Sequence, residues 1–563
     1  MLRNLKTIFL LFSLLSCSLP VKSQTIIPGG YVSGIWDSAH SPYIVEDDIL
    51  IHPDSTLAIT EGTFILFSGP YVLEVQGQLL VNGTPSQPVI FDRENDTITW
   101  RGVFFNTTDT SITDSSIMEH GLISNCYQNA CLNITSCSRL RVSDFTIHSG
   151  NSFRGGGIRC SFSNPFFENL IVQNNVALDG AGISLEQSNP LLKNCIITQN
   201  SADGTGGGIV IFNLSAPLFE NCTISGNQSY GSGGGIYIND ANPVFVRCSI
   251  SGNEGAIGGS NLYSGGGVSV KLGSHPYFEN CTFENNISHR EGGAIASFSP
   301  SELINCLFVG NTAATFGGGA YLASGNLIIS HLSNCTFSNN DSPQGTALAT
   351  HNHTALLRNC ILWHSAPANP GSLIHLDAIF VLNVLNAGYS DIQNGQAGIE
   401  LSGNAQFIWV VGNIDLDPEF IPGSRELSWL SPCIEAGTSD TSGLMLPETD
   451  LAENPRLTNQ RVDMGAYEYQ FPVIIQNSKF KIQNYLKVYP NPAREWVYVE
   501  MDKNQAEGTI RLINPEGLIL MQEILPAGKQ LIKIDLKGYP AGIYIISFNT
   551  AGFEYFDKLI IKS

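Results

Sequence analysis

The chain has 563 residues, of which 56 are glycine, 43% are hydrophobic and only 14% are charged. This hydrophobic content is too high for an intrinsically disordered chain. The 28 basic residues against 49 acidic ones give a net charge of −21, which argues against nucleic-acid binding, because phosphate contacts need clustered Lys and Arg. Residues 25–470 hold 14 basic and 40 acidic residues, whereas residues 471–563 hold 11 and 9. We therefore expect an acidic body and a separate, nearly neutral C-terminal domain.

The N-terminus has the order of a secretory signal peptide, which we predict over residues 1–24. Two basic residues precede the apolar run Ile8–Leu15, and small residues follow it. The segment Leu14–Cys17 also resembles a lipoprotein cleavage site, although Leu15 is bulky for that role. The apolar run is too short to span a bilayer, and no other stretch reaches about 18 apolar residues, so we predict no transmembrane helix.

Three sequence markers recur together between about residues 150 and 365. Glycine clusters lie at residues 155–157, 180–182, 206–208, 233–235, 265–267, 292–293 and 317–319. Prolines follow at Pro165, Pro190, Pro217, Pro243, Pro276 and Pro300. Cysteines come next at Cys195, Cys222, Cys248, Cys281, Cys306, Cys335 and Cys360, each preceded by Asn except at Arg247. Because three markers keep one spacing, the sequence predicts a repeat architecture.

Each repeat contains short alternations of β-branched or aromatic residues, interrupted by glycine and proline. About three short strands in a unit of this length are typical of one coil of a parallel β-helix. Leucine-rich repeats have similar lengths but need a leucine ladder, and propeller blades need longer units. We therefore predict an all-β fold with a parallel β-helix over residues 25–470. Its clear repeats span 150–365, leading coils precede them, and final coils with a C-terminal cap occupy 366–470.

The coil Pro217–Ile224 predicts the direction of each side chain. The residues expected to face inward are Leu218 or Phe219, Cys222 and Ile224. Phe219 and Cys222 are three apart, so the chain must bend between them, and Asn221 tolerates the left-handed conformation of such a corner. In stacked coils this corner would align Asn169, Asn194, Asn221, Asn280, Asn305, Asn334 and Asn359. We expect their side-chain amides to form a hydrogen-bonded ladder.

The repeat cysteines are expected to be reduced core residues despite export into an oxidising space. Equivalent positions on neighbouring coils lie about 4.8 Å apart, whereas a disulfide prefers Cβ atoms about 3.8 Å apart. Cys126, Cys131 and Cys137 stand outside this ladder and are the better candidates for a disulfide.

The C-terminal region lacks the repeat markers. Residues 471–487 are predicted to form a linker, and short strands separated by turn residues then indicate a small β-sandwich over 488–563. The predicted strands are Trp496–Glu500, Thr509–Ile513, Gln530–Asp535, Gly542–Ser547 and Lys558–Lys562.

Both regions resemble known families. The Gly-Gly-Gly-Ile, Asn-Pro and Glu-Asn-Cys-Thr-Ile motifs resemble those of right-handed parallel β-helix repeat proteins, and similar repeats occur in bacterial polymorphic outer-membrane proteins. The tail motifs Tyr489–Pro492, Tyr539–Tyr544 and Lys558–Lys562 together resemble the sorting domain of type IX secretion substrates of Bacteroidota. This resemblance implies that the type IX machinery is a partner, that the tail is removed near the linker, and that the protein is secreted or attached to the cell surface.

Several β-helix proteins degrade polysaccharides, so we searched for catalytic groups. Lyase chemistry needs Ca²⁺-binding carboxylates beside a Lys or Arg base, and hydrolysis needs a spaced carboxylate pair. Asp179 and Asp203 precede glycine clusters and are candidate Ca²⁺ ligands, although aspartate there is typical of turns. His351 and His353 are expected to share one strand face, with His331 and His364 elsewhere in the region. Zinc would need three or four converging ligands, so histidine on a polar turn is the preferred interpretation. No catalytic residue, metal site or cofactor is assigned.

A carbohydrate-binding surface is the remaining possibility. The outward position after each glycine cluster is occupied by Arg159, Ser184, Val210, Tyr237, Ser269, Ala296 and Tyr321. Tyr237 and Tyr321 are candidates for stacking on sugar rings. We predict adhesion, or binding of carbohydrate or of a host or extracellular surface, as the function. The alternative is a polysaccharide lyase or glycoside hydrolase on the same scaffold.

Overall fold

The structure is a computed structural model. It describes residues 24–106, 115–259, 264–324, 329–365, 372–379, 383–457, 461–470, 486–501, 507–514, 519–528, 531–550 and 553–562. The predicted signal peptide, up to residue 23, and most of the predicted linker lie outside these residues. The chain divides into two compact units between Phe471 and Pro472. Among the described residues, no helix is both long and apolar enough to cross a membrane.

The first unit is a parallel β-helix, which confirms the predicted fold class. Strands of successive coils pair in parallel and form two long sheets, and the coils between Tyr127 and Ala313 add a third. Sheet 1 has 28 strands: Thr25–Ile27, Gly34–Trp36, Tyr43–Val45, Thr56–Thr60, Phe64–Phe67, Gln78–Asn82, Val89–Arg93, Ser116–Ser124, Leu140–His148, Phe166–Glu168, Ile171–Gln173, Leu191–Lys193, Ile196–Thr198, Leu218–Glu220, Thr223–Ser225, Val244–Val246, Ser249–Ser251, Tyr277–Glu279, Thr282–Glu284, Glu302–Ile304, Leu307–Val309, Ile329–Ser333, Thr336–Ser338, Thr354–Arg358, Ile361–Leu362, Val384–Gly388, Asp391–Ile392 and Gln406–Trp409.

Sheet 2 runs the length of the β-helix, whereas sheet 3 is confined to its middle coils. Sheet 2 has 15 strands: Gly30–Tyr31, Ile49–Ile51, Leu73–Val75, Val103–Asn106, Leu132–Thr135, Ile158–Ser161, Ile183–Glu186, Ile209–Phe212, Ile236–Asn239, Val268–Val270, Ile295–Ser297, Ala320–Ala323, Leu348–His351, Ile374–Ala378 and Ile399–Gly403. Sheet 3 has eight strands: Tyr127–Gln128, Asn151–Arg154, Val176–Asp179, Ser201–Ala202, Gln228–Ser229, Glu254–Gly255, Ile287–Ser288 and Thr312–Ala313. A short 3₁₀ helix spans Gly395–Gly398.

Side chains point as the sequence predicts. Phe219, Cys222 and Ile224 are buried in the core, and Phe219 rather than Leu218 is the inward neighbour. Aromatic rings stack along the axis, with 4.6 Å between the centroids of Phe219 and Phe245. The seven repeat cysteines are buried thiols, as expected. Cys126 and Cys131 form a disulfide, and Cys137 does not join that bridge.

The corner asparagines adopt the predicted left-handed conformation, with φ of 53–56° at all seven positions. The amide of Asn194 donates to Asn169 Oδ1 at 3.3 Å, and that of Asn221 donates to Asn194 Oδ1 at 3.4 Å. Arg247 keeps the same conformation and donates from Nε to Asn221 Oδ1. The outer corner ladder is therefore confirmed from Asn169 to Arg247, whereas Asn334 donates to the Asp463 carbonyl and not to Asn305. A positive φ explains the preference for Asn at this corner.

A second asparagine ladder runs inside the β-helix, where the chain passes from sheet 1 to sheet 3. Its members are Asn175, Asn200, Asn227, Asn253, Asn286, Asn311 and Asn340, all at most 3% exposed. In each coil the amide oxygen accepts from the backbone N–H and the side-chain amide of the preceding asparagine, at 2.9–3.1 Å. This inner ladder satisfies polar groups that would otherwise be buried without partners. The sequence analysis did not predict it.

The glycine clusters allow adjacent coils to approach closely. A Cβ built on Gly234 would lie 2.4 Å from backbone atoms of Glu254 in the next coil. The preceding Gly233 has φ of +70°, which a residue with a Cβ adopts only at a cost. Glycine at both positions thus allows the turn that leads into sheet 2.

The closing segment, residues 410–470, folds back along the side of the β-helix. Asn334 donates to the Asp463 carbonyl at 3.3 Å, and Asn359 Oδ1 accepts from the Thr438 N–H at 2.9 Å. The last coils are joined to this segment through Asp391, a fully buried carboxylate on sheet 1. Its oxygens accept from the Leu416 N–H at 3.2 Å and the Cys433 thiol at 3.4 Å. Burial raises the pKa of Asp391 to about 7.

The second unit contains two antiparallel sheets. One sheet has strands Leu486–Tyr489, Trp496–Met501 and Leu531–Asp535, and the other has Gly508–Ile513, Ile519–Leu525, Gly542–Thr550 and Phe553–Ile561. Val497, Val499, Ile510, Leu512 and Ile546 are fully buried in its core. The strand Ile519–Leu525 was not predicted, and the first strand begins at Leu486, within the predicted linker.

Candidate functional site

The predicted outward column lies on adjacent strands of sheet 2. Each of its seven residues is the register partner of the next: Arg159, Ser184, Val210, Tyr237, Ser269, Ala296 and Tyr321. The column continues through Ala349, His375 and Glu400. One outer face of sheet 2 therefore presents these side chains in a line along the solenoid axis.

A second outward column runs beside the first, two residues further along each strand. Phe212 pairs with Asn239. The Lys271 N–H donates to the Ile238 carbonyl, and the Phe298 N–H donates to the Val270 carbonyl. Lys271 and Phe298 therefore follow Asn239 on the next two coils.

Tyr321 lies at the centre of an aromatic cluster on this face. Its ring centroid is 6.1 Å from that of Phe298, at a steep interplanar angle of 70°, and 6.2 Å from that of Phe316. Phe316 also lies 5.5 Å from the ring of His375. Phe298, Phe316 and Tyr321 are all half-buried, so their rings are fixed by packing and remain partly open to solvent. We call Lys271, Glu291, Phe298, Phe316 and Tyr321 the upper cluster.

Lys271 supplies the cation of the upper cluster. Its Nζ lies 4.4 Å from the centroid of the Phe298 ring, a favourable cation–π distance. Burial disfavours the charged ammonium and lowers the pKa of Lys271 to about 8, against the opposing attraction of Glu291. Burial, followed by the charges of Glu291 and Asp377, raises the pKa of the Tyr321 hydroxyl.

Two histidine–carboxylate pairs border the upper cluster. His375 Nδ1 lies 3.0 Å from Glu400 Oε2, and His351 Nδ1 lies 2.8 Å from Asp377 Oδ2. Burial opposes ionisation of Glu400, but hydrogen bonds from His375 and Ser372 hold its pKa below the usual value. These groups place hydrogen-bonding atoms beside the aromatic rings.

A second group of side chains lies on the same face nearer the N-terminus. The Arg154 guanidinium carbon is 4.9 Å from the centroid of the Phe212 ring, and its Nε is 3.6 Å from Asp179 Oδ2. Tyr237 is half-buried beside them, and burial together with the charge of Asp179 raises the pKa of its hydroxyl. We call Arg154, Asp179, Phe212 and Tyr237 the lower cluster.

Comparison with known families identifies both units. Residues 93–260 and 202–362 match the family model of the right-handed β-helix region, and residues 487–562 match that of the secretion system C-terminal sorting domain. The chain is a right-handed β-helix protein with a type IX sorting domain. The sorting domain marks this β-helix protein for export, so that it is secreted or attached to the cell surface.

Comparison with individual proteins adds little for this β-helix protein. A crystal structure of pectate lyase Pel9A is similar over 76% of this chain and 88% of its own, at 11% sequence identity and a TM-score of 0.28. No curated protein sequence matches the chain.

The structure does not bring the other candidate residues of the β-helix protein together. Asp179 Oδ1 accepts from the N–H and hydroxyl of Thr205, as a turn aspartate does, and Asp203 is exposed. Contrary to the expectation from their spacing, His351 and His353 do not share a strand face. Asn352 between them has φ of 49°, which turns His353 into the interior.

The remaining histidines are also separate. His331 pairs with Glu302 on sheet 1 at 3.2 Å, and His364 is buried. Within the part of the chain that the structure describes, no group of three His, Cys, Asp or Glu residues could hold a metal ion.

Sequence reasoning found the tyrosines of the β-helix protein but missed their neighbours. Ser184, Val210, Ser269 and Ala296, predicted to face outward, are at most 4% exposed because surrounding side chains cover them. Phe298 and Lys271 could have been found by extending the strand period two residues beyond the first column. Phe316 precedes its glycine cluster, and the sequence of a single repeat does not show in which direction a side chain at that position points.

Proposed function

We propose that the β-helix protein binds carbohydrate outside the cell, through the upper cluster on sheet 2. The observation that carries this proposal is the partly open set of rings Phe298, Phe316 and Tyr321 around Lys271. Aromatic faces carry the negative part of the ring quadrupole, which attracts the C–H groups on one face of a sugar ring. The ammonium and the neighbouring carboxylates offer donors and acceptors for sugar hydroxyls.

Placement on a sheet supports this function. Tyr321 lies in a strand of sheet 2, Phe298 directly follows one, and Phe316 bridges to Gln344 on the next coil, so little conformational freedom is lost when a ligand binds. Rigid elements hold binding groups more accurately than loops do. An exported, elongated protein with such a face is suited to adhesion, in which it attaches to a glycan-bearing surface.

A glycan array tests the proposal, with Tyr321→Ala and Phe316→Ala as the informative variants. Removal of one central aromatic ring should lower the affinity for the bound glycan about tenfold. Tyr230→Ala is the matched control, because Tyr230 is 54% exposed and lies outside both clusters. An array without any glycan bound, or equal binding by wild type and Tyr321→Ala, would refute the proposal.

One observation favours the alternative of a polysaccharide lyase or glycoside hydrolase. With a pKa of about 8, Lys271 has a larger neutral fraction at neutral pH than an ordinary lysine, as a general base requires. In a lyase its amine would take the proton from the carbon beside a uronate carboxylate. A carbon–carbon double bond would form as the glycosidic C–O bond breaks, and the departing oxygen would take a proton from water, leaving an unsaturated product. Ultraviolet detection of that product, together with a reducing-sugar assay, tests this candidate. Turnover that is lost in Lys271→Gln would favour the enzyme over the binding protein.

A further inference from the structure

The two clusters on sheet 2 share one arrangement. In the upper cluster, Tyr321 lies one coil beyond Phe298, because Ala296 is the register partner of Tyr321. In the lower cluster, Tyr237 lies one coil beyond Phe212, because Val210 is the register partner of Tyr237. Each tyrosine is in the first outward column and each phenylalanine is in the second.

The charged groups repeat as well. A cation covers each phenylalanine ring, Lys271 over Phe298 at 4.4 Å and Arg154 over Phe212 at 4.9 Å. Carboxylate charge acts on each tyrosine, that of Glu291 and Asp377 on Tyr321 and that of Asp179 on Tyr237. The two cations come from different positions in their coils, yet each lies at most 4.9 Å from the centroid of its ring. The shared geometry is therefore a property of the face and not only of the sequence repeat.

The register fixes the separation of the clusters. Tyr237 pairs with Ser269, Ser269 with Ala296, and Ala296 with Tyr321, so the tyrosines are three coils apart. At about 4.8 Å per coil, this separation is about 14 Å along the axis. Two like sites at this distance on one straight face can contact the same extended molecule.

We propose that the lower cluster is a second carbohydrate subsite equivalent to the upper one, and that the ligand is a linear polysaccharide lying along the solenoid axis. This inference rests on the proposed function of the upper cluster. Neither cluster has an excess of positive charge: Arg154 pairs with Asp179, and Lys271 is accompanied by Glu291 and bordered by Asp377 and Glu400. Both lie within a body that carries a net charge of −26 over residues 25–470. This charge pattern fits a chain of neutral sugars better than a polyanion, which the body would repel.

Titration calorimetry with β-1,4-linked glucan, xylan and mannan oligosaccharides of two to eight units tests the inference. A disaccharide that fits one cluster should bind with a stoichiometry of two per protein. A chain that spans both clusters should bind with a stoichiometry of one and about a hundredfold more tightly, because its second contact is intramolecular. Tyr237→Ala should reduce the disaccharide stoichiometry to one and remove most of the gain with chain length.

Arg154→Gln provides a second variant of the lower cluster, and it should have the same effect as Tyr237→Ala. Arg141→Gln is the matched control, since Arg141 also lies over a ring, 5.0 Å from Phe166, and pairs with Glu168, but on sheet 1. One disaccharide per protein in the wild type, an affinity independent of chain length, or tighter binding of polygalacturonate would overturn the second subsite. In each of these cases Tyr321→Ala would still weaken binding, so the proposed function would stand. Absence of binding to every glycan would refute both proposals.

Discussion

Removal of one side chain from the inner asparagine ladder should destabilise the coils on both sides of it. Asn227 is fully buried, donates to the Ile197 carbonyl at 2.9 Å and to Asn253 Oδ1 at 3.0 Å, and accepts from the backbone N–H and the amide of Asn200. Asn227→Ala leaves the Asn200 N–H and the Ile197 carbonyl without these partners. At about 1–3 kcal/mol for each orphaned buried group, the free energy of local opening should fall by about 2–6 kcal/mol.

Hydrogen exchange with mass spectrometry measures this change directly. One factor of ten in protection corresponds to about 1.4 kcal/mol, so peptides that contain the Asn200 amide should lose at least about thirtyfold in protection. Asn221→Gly is the control, because Asn221 lies on the exposed outer ladder at φ 53°, where glycine is tolerated. Its cost should stay below about 1 kcal/mol. Equal loss of protection in the two variants would refute the distinction between a structural inner ladder and a weakly stabilising outer one.

Three further outcomes are expected. The closing segment should be more stable at pH 4 than at pH 8, because the pKa of Asp391 rises from 3.8 to about 7 on folding and stability is lost as pH increases between these values. In exchange measurements Asp391→Asn should weaken this dependence without abolishing it, since burial also raises the pKa values of Asp463 and Glu468, whereas Asp440→Asn at an exposed site should leave it unchanged. Gly234→Ala should lower the free energy of unfolding by about 3 kcal/mol, because its Cβ would meet backbone atoms at 2.4 Å. The control Gly252→Ala should cost about 1 kcal/mol, because space is open there and only the positive φ is strained. Similar losses of stability in the two variants would contradict the argument that Gly234 allows the close approach of coils. Deletion of residues 488–563 should leave the folded β-helix in the periplasm, and fractionation that finds it outside the cell would contradict the role of the sorting domain.

The architecture could be predicted because glycine, proline, asparagine and cysteine recur at fixed positions of the coil, and each of these positions imposes one physical requirement on its residue. Asn221 illustrates this, since a bend between two inward residues needs a left-handed conformation, and few residues other than Asn and Gly adopt it readily. The inner ladder was equally regular, with Asn227 five residues after Cys222 and Asn253 five after Cys248. It was missed because buried asparagine is uncommon, and its stabilisation depends on partners in neighbouring coils that one coil does not reveal.

The candidate site could be predicted only in part. Tyr237 and Tyr321 follow from the strand period, because every outward position after a glycine cluster lies on the same face. Phe316 and Arg154 lie in or beside turns, and their side chains reach the face in ways that depend on the size of neighbouring residues. Sequence spacing therefore located the face, whereas the contacts that define the clusters required three-dimensional packing.

The inner ladder also restricts how the length of this protein can change in evolution. The chain of amides from Asn175 to Asn340 is unbroken although successive members are 25 to 33 residues apart, so the turns of a coil accept insertions without disturbing the ladder. Loss of one complete coil, such as residues 254–286, would let Asn253 bond directly to Asn311. Such a deletion would keep the core and shorten the distance between Tyr237 and Tyr321 by one strand spacing. The length of the β-helix therefore changes in steps of about 4.8 Å, the spacing of one coil.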